Sequence, residues 1–141
     1  MDPNDGRVIT NFIGQCLRGQ KMTMYGLGQQ TRSFCYVDDL IDGFVKIPWT
    51  SRDFTGPVNL GNPTEFTVFQ LAVMIKRLIH GEHSIMMQDD YELLPLPQDD
   101  PKIRCPDISL ARTALNWEPK VRIEEGLKRT IHYMRNELGV K

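Results

Sequence analysis

A mixed α/β fold with short strands is the architecture this sequence predicts, on three observations. Apolar residues recur at helical spacing in at least three stretches. Short alternating or β-branched runs bounded by Gly and Pro lie between them. The two kinds of element do not alternate regularly along the chain, so a self-sufficient doubly wound sheet is not expected. The 141 residues are about one domain in length. The many short strands and long loops suggest a lobe that leans on further structure.

The first helix is expected over 8–18, where Val8, Phe12, Ile13, Cys16 and Leu17 share a face, with Asp5 upstream as a cap and Gly19 as a stop. Met22-Thr23-Met24-Tyr25 reads as a strand, Gly26-Leu27-Gly28 as a turn and Arg32 to Val37 as a second strand. Asp38 and Asp39 then open a helix over Leu40 to Ile47, acids at its positive end, and Pro48 interrupts its end, leaving Trp49 exposed. Pro57 to Gly61 reads as a short strand. Thr67-Val68-Phe69-Gln70 has the capping-box form and opens a helix with Val68, Leu71, Ala72, Ile75, Leu78 and Ile79 on one face and Gly81 as its stop. Ser84 to Met87 reads as a strand. Residues 88–106 carry Pro95, Pro97, Pro101 and Pro106 and read as an extended loop. Asp107 or Ser109 caps a short helix through Leu115, and Ile123, Leu127, Ile131, Met134 and Leu138 stripe a final helix ending at Gly139.

Composition narrows the function classes. Seventeen basic and 18 acidic side chains give a net charge of −1 without a basic stripe, which argues against a nucleic-acid binder. The longest apolar stretch, Leu71 to Ile75, is far too short to span a bilayer, and the polar N-terminus is no signal peptide, so a cytoplasmic location is expected. Three cysteines at 16, 35 and 105, with no Cys-x-x-Cys, read as free thiols rather than as a disulfide framework or zinc site.

Three arginines carry the chemical interest: Arg7 before the first helix, Arg32 after the glycine-rich turn, and Arg104 in the proline-rich segment. A guanidinium fork matches carboxylate and phosphate oxygens, and arginines beside a helix start suit a diphosphate. Each alone reads as a surface ion pair. In Tyr25 to Arg32 the glycines allow close backbone approach to a ligand and Tyr25 offers a ring for stacking, although the same residues make a plain hairpin turn. The run lacks the third glycine of a dinucleotide fingerprint and lies between strands. His80 and His83 read as a solvated helix end. The pairs Asp38-Asp39, Asp89-Asp90 and Asp99-Asp100 have neighbours pointing apart rather than sharing a proton. No Cys–His or Gly-x-Ser-x-Gly nucleophile pattern is present.

Several ordered motifs go further. Asp5-Gly6-Arg7-Val8-Ile9-Thr10-Asn11-Phe12-Ile13, Tyr25-Gly26-x-Gly28-x-Gln30-Thr31-Arg32-Ser33-Phe34-x-Tyr36-Val37-x-Asp39-Leu40 and Gly56-Pro57-Val58-Asn59-Leu60-Gly61-Asn62-Pro63 are followed by Asp99-Asp100-Pro101 to Arg104 with Pro106-Asp107-Ile108, then Leu115-x-Trp117-Glu118-Pro119-Lys120. Together they resemble the C-terminal part of the UDP-glucuronic acid decarboxylases (UDP-xylose synthases), in the extended short-chain dehydrogenase/reductase superfamily. The Asp-Asp-Pro…Arg-x-Pro-Asp-Ile and Asn-Leu-Gly-Asn-Pro blocks point most narrowly to the decarboxylases.

That resemblance implies an α/β enzyme with an N-terminal NAD-binding Rossmann lobe, of which residues 1–141 are the C-terminal, mixed α/β lobe that grips the nucleotide sugar. It implies oxidation at C4 of UDP-glucuronate with NAD, loss of carbon dioxide from the β-keto acid and return of hydride to give UDP-xylose. By position, Arg7 resembles a residue at the cofactor and substrate entrance. Thr10, Asn11 and Phe12 resemble the helix start lining the UDP site, Tyr25, Gly26 and Gln30 the uridine-side loop, Arg32 a phosphate or ribose contact, and Arg104 an arginine at the sugar end. The family's Gly-rich opening and Tyr-x-x-x-Lys are not found: Tyr25, Tyr36, Tyr91 and Tyr133 are followed four residues on by Gln29, Leu40, Pro95 and Glu137. The chain is therefore expected to be a fragment or truncated product, inactive alone, with a UDP-sugar and a separate N-terminal lobe as partners. A fragment of a 4,6-dehydratase or 4-epimerase, or a non-catalytic UDP-sugar-binding module, are the alternative readings.

Overall fold

Local specification is strongest at Val68–His80, helix α3. The Thr67 hydroxyl accepts from the Gln70 backbone N–H at 3.0 Å and the Gln70 side chain accepts from Thr67 N–H at 2.8 Å, the capping box expected from sequence. Gly81 ends the helix at φ 106°, a left-handed conformation that favours glycine. The apolar face of α3 (Val68, Leu71, Ala72, Ile75) is buried against α1 (Val8–Leu17) and α5 (Ile123–Leu138), which contribute Phe12, Ile13 and Cys16 and Leu127, Ile131 and Met134. Each such large side chain removed from water contributes roughly 1.5–3 kcal/mol.

The computed structural model describes residues 5–51, 53–98, 101 and 103–140. Strand β1 (Met22–Tyr25) lies beside this three-helix layer, with Met22 and Met24 in its core. It pairs in parallel with β4 (Tyr91–Leu94), in the register Met22 with Tyr91 through Tyr25 with Leu94. A second pair is antiparallel, β2 (Thr31–Ser33) with β3 (Glu65–Thr67), Arg32 standing opposite Phe66. Helix α2 (Val37–Lys46) runs into a single 3₁₀ turn at Ile47–Trp49. A smaller core gathers Ile108, Ala111, Leu115 and Trp117 around α4 (Ser109–Leu115), with Cys35, Ile47, Val58 and Leu60 packed on it.

The helices agree with their sequence patterns, and the strands differ in instructive ways. The strand expected over Arg32–Val37 is Thr31–Ser33, because Tyr36 takes the N-cap position and Val37 already opens α2, three residues earlier than expected. Pro57–Gly61 and Ser84–Met87 form no strand, as neither has a ladder partner among the described residues. Conversely, β4 lies in the stretch read as loop, because its partner β1 is distant in sequence. Asp5 caps α1 from outside the helix: its carboxylate accepts from the Arg7 N–H at 3.0 Å and from the Thr10 hydroxyl, while Arg7 occupies the N-cap position. Asp107 accepts from the Ser109 N–H at 2.8 Å ahead of α4. Trp49 is 85% exposed, as Pro48 led one to expect. Asp99 and Asp100 lie outside the described residues.

The return from α3 to β4 is held by one cation. Lys76, 15% exposed, pairs with Asp90 and donates to the Ile85 carbonyl at 2.8 Å. Its ammonium, with the Met87 N–H, holds the Asp90 carboxyl below its ordinary value of 3.8. A carboxyl lowered by folding stabilises the native state above its unfolded value and loses that contribution as the pH falls through its folded value. Asp90→Asn is thus expected to cost about 1–2 kcal/mol in urea unfolding at neutral pH. The gap from the parent should close below about pH 4, and a gap constant down to the acid limb would contradict the pairing.

Candidate functional site

The stretch from β2 into α2 separates two cavities. On one side a 480 Å³ cavity is lined by Ser33, Cys35 and Leu40, by Leu60, Gly61 and Asn62, and by Arg104, Cys105 and Pro106. On the other, a 620 Å³ cavity has Asp5, Arg7 and Ile9 at one side, Phe34 to Val37 and Leu40 as its wall, and α5 residues including Arg129, Thr130 and Tyr133 opposite. Cys35 and Leu40 line both. The Arg129 guanidinium stacks over the Tyr36 ring at 5.3 Å. Gly126 lets that ring close on α5, since a Cβ there would sit 3.1 Å from Tyr36 Cδ2.

This wall is fixed from behind by Asp39. Its side chain is buried in the first turn of α2, where its Oδ2 accepts the Lys120 and Val121 backbone N–H groups at 3.1 and 2.9 Å. Its own carbonyl accepts the Trp117 indole N–H at 2.8 Å. Gly43, one turn on, gives the room: a Cβ there would meet Leu60 Cδ1 at 2.8 Å. Its neighbour Asp38 turns outward to Arg129, 3.6 Å away, so the adjacent acids do point apart. Burial, aided by the charge of Asp39, pushes the Cys35 thiol up to about 11.

The residues singled out from sequence fall into three groups. Arg32 donates to the Thr31 and Pro101 carbonyls, both at 2.7 Å, tying β2 to the segment that carries Arg104. Its neighbour Ser33 and the exposed Arg104 line the same cavity. Tyr25, Gly26 and Gln30 form a separate turn and line neither cavity. There the Gln30 amide donates to the Tyr25 carbonyl at 3.0 Å, and Gly26 N–H donates to Leu94 at 2.8 Å. Gly28, at φ 68°, is required because a Cβ would lie 2.2 Å from the sulfur of buried Met24. At the start of α1, Thr10 and Phe12 face inward at 0% and 1% exposure. Asn11 donates to the Gly6 carbonyl at 3.1 Å, and Arg7 is exposed, 3.7 Å from Asp5.

Sequence reasoning missed Asn62, Ser33 and Cys35 as lining residues, although Asn62 and Ser33 stood inside motifs it had singled out. It also missed the α5 residues Thr130 and Tyr133, which lie off that helix's apolar stripe. Among the described residues, no cluster of three or more His, Cys, Asp or Glu could hold a metal, and no helix is long and apolar enough to cross a membrane.

Residues 1–61 match the model of the NAD dependent epimerase/dehydratase family, and the mixed α/β fold superposes on epimerases of that superfamily. A Thermotoga maritima UDP-glucose 4-epimerase with UDP-glucose aligns at TM-score 0.84 and 29% identity, over 97% of this chain and 42% of that one. A Bacillus cereus UDP-glucuronic acid 4-epimerase in complex with UDP-glucuronic acid and NAD aligns at TM-score 0.83 and 26% identity, over 94% and 40%.

More particularly, the chain is similar to the UDP-glucuronic acid decarboxylases along nearly its whole length. It is 48% identical over 140 residues to UDP-glucuronic acid decarboxylase 1 of Xenopus tropicalis, covering 98% of this chain and 31% of that protein. It is 46% identical over 140 residues to UDP-glucuronic acid decarboxylase 5 of Arabidopsis thaliana, covering 99% and 39%. The chain thus spans about a third of the length of the curated relatives it matches.

The described residues do not form a dinucleotide cradle. Gly26 and Gly28 join two strands rather than a strand to a helix, and Met24 fills the space behind Gly28. Arg7 stands at a cavity rim, beside Asp5.

The wall between the cavities depends on Asp39, so Asp39→Ala is expected to destabilise the chain by about 2–4 kcal/mol, as two backbone donors lose a charged acceptor. Asp39→Asn, which keeps one acceptor oxygen, should cost less. Equal urea midpoints for parent and Asp39→Ala would show that the contact is not structural.

Proposed function

We propose that this chain is the nucleotide-sugar-binding part of a UDP-glucuronate decarboxylase, the enzyme class that converts UDP-glucuronate to UDP-xylose and carbon dioxide with NAD as catalytic cofactor. The observation that carries the reading is the joining of β2 to the 101–106 segment: Arg32 grips Pro101 while Ser33 and Arg104 line one cavity. Guanidinium groups on adjoining segments suit a ligand that carries both a diphosphate and a sugar carboxylate. Arg104 orients the sugar end, Arg32 contacts phosphate or ribose, and the Tyr25, Gly26 and Gln30 turn serves the uridine side. Thr10, Asn11 and Phe12 set the helix start, with Thr10 offering its first-turn backbone N–H and the buried Phe12 ring anchoring the helix, since both side chains face inward. Arg7 is the residue this chain would add beside NAD, the dinucleotide being held mainly by the part of the fold that these residues do not span. Sequence identity of 46–48% to decarboxylases against 26–29% to the epimerase structures favours decarboxylation over epimerisation.

Residues 1–141 in this reading are one lobe, completed by an N-terminal Rossmann lobe. Helix α2 supports it: Val37, Ile41, Phe44 and Val45 form an exposed apolar stripe that Trp49 continues. The extended Pro57–Gly61 segment supports it too, as an apolar run with no ladder partner among the described residues. A parallel sheet brought against that run would supply the missing backbone hydrogen bonds.

Calorimetric titration with UDP tests the site. Binding is expected, weakened by about 1.5–3 kcal/mol in Arg32→Ala and comparably in Arg104→Ala, as for lost charge-assisted hydrogen bonds; heats unchanged by either substitution would overturn it. The purified chain should release no carbon dioxide from UDP-glucuronate with NAD, and release should appear on adding the separately produced N-terminal part of a relative. Turnover by the chain alone would refute the division of labour.

A further inference from the structure

Two of the three cysteines face one cavity, and the proposed function uses neither. Cys16 is buried between α1 and α3, its sulfur 3.4 Å from His80 Nε2. Cys35 and Cys105 both line the 480 Å³ cavity: Cys35 from the connection between β2 and α2, Cys105 from the proline-rich segment beside Arg104. We propose that these two thiols form a reversible disulfide that straps the Arg104 segment across the cavity. The inference does not depend on which ligand the cavity takes.

The two walls differ in how firmly they are held. Cys35 packs on the Trp117 cluster, directly before the Asp39-anchored helix. Cys105 is exposed, and the described residues 103–107 around it form no helix or strand. That segment is tied down by isolated contacts: Arg32 to the Pro101 carbonyl, Cys105 Sγ to the Pro63 carbonyl at 3.3 Å, and Asn59 to the Asp107 carbonyl at 3.2 Å. A disulfide needs Cα atoms within about 7 Å, so any adjustment the link requires falls on the exposed Cys105 rather than on Cys35, which packs on the Trp117 cluster. Breaking the Cys105–Pro63 contact removes only a weak thiol hydrogen bond.

The exchange balances with a small-molecule disulfide such as oxidised glutathione as oxidant. The Cys105 thiolate, its proton lost to solvent, attacks one sulfur of that disulfide and expels one glutathione thiolate, giving a mixed disulfide at position 105. The Cys35 thiol then releases its proton to solvent, and its sulfur attacks the Cys105 sulfur, expelling the second glutathione thiolate. Two protein thiols are oxidised, one glutathione disulfide is reduced to two thiols, and a reducing thiol reverses both steps. The exposed Cys105 is the entry point and the half-buried Cys35 the resolving partner.

The full chain is oxidised in native buffer with excess oxidised glutathione, blocked with iodoacetamide, and digested without reduction for mass spectrometry. The expected result is one cross-linked species joining the Cys35 and Cys105 peptides, with Cys16 outside the link. Cys16→Ser should leave the link intact, and Cys105→Ser should leave Cys35 open to alkylation after unfolding. In denaturing urea the pairing should spread over all three cysteines, which separates a folded-state preference from chance. Cys105 carrying glutathione with Cys35 unlinked, or Cys16 entering the native cross-link as readily, would overturn the proposal; the first result needs no variant to fold.

Discussion

The Asp39 carboxylate ties α2 to the connection that leads into α5. Asp39 sits in the first turn of α2, yet its acceptors serve residues 117–121, which lead from the small core into α5. The arrangement places a negative charge at a helix N-terminus, where the peptide dipoles favour it. It also gives two N–H groups of an irregular connection the partners they need away from water. Trp117 fills the space beneath, and Gly43 is bare so that Leu60 and the indole can approach α2. Because α2 is held there, Tyr36 meets α5 and Cys35 turns toward Leu60. The geometry of both cavities follows from a residue that lines neither.

The two cores divide the work. The larger is a helix layer of α1, α3 and α5 with β1 against it, built from residues whose spacing alone dictates burial. The smaller holds Val58 and Leu60, with Cys35 and Ile47, against Trp117 and α4. It carries the irregular backbone; of the residues assigned to ligand contact, Arg32 and Arg104 stand near it through the cavity that Ser33 and Cys35 line, whereas Phe12 belongs to the larger core. A rigid layer supporting loops that bear polar groups is the usual division between scaffold and site.

What was legible in the sequence tracks how local its cause is. The capping box at Thr67 and Gln70, the stop at Gly81 and the stripe of α5 depend on residues a few positions apart, and each is found in the structure. Strands depend on partners, which explains the inversions: Tyr91–Leu94 is a strand because β1 lies beside it, and Pro57–Gly61 is not, for want of a neighbour. The site followed the same rule. Arg32 and Arg104 stood out by residue type, but their connection runs through the Pro101 carbonyl, which no side-chain pattern announces. Phe12 was read as a ligand-side residue on motif alone, whereas its helical spacing already assigned its ring to the core. Ser33 stood within a quoted motif without being singled out, and Cys35 carried no signal beyond its place in an aromatic run.

The chain's two tryptophans stand in opposite surroundings: Trp117 is sealed at 2% exposure with its indole N–H satisfied, while Trp49 projects almost fully into solvent at the end of α2. Their emission therefore divides into a blue component from the sealed ring and a red, readily quenched one from the projecting ring. Iodide or acrylamide would dim the second and spare the first. The protein thus carries a built-in optical gauge, one indole reporting on the integrity of the fold and the other on whatever covers the outer surface of α2.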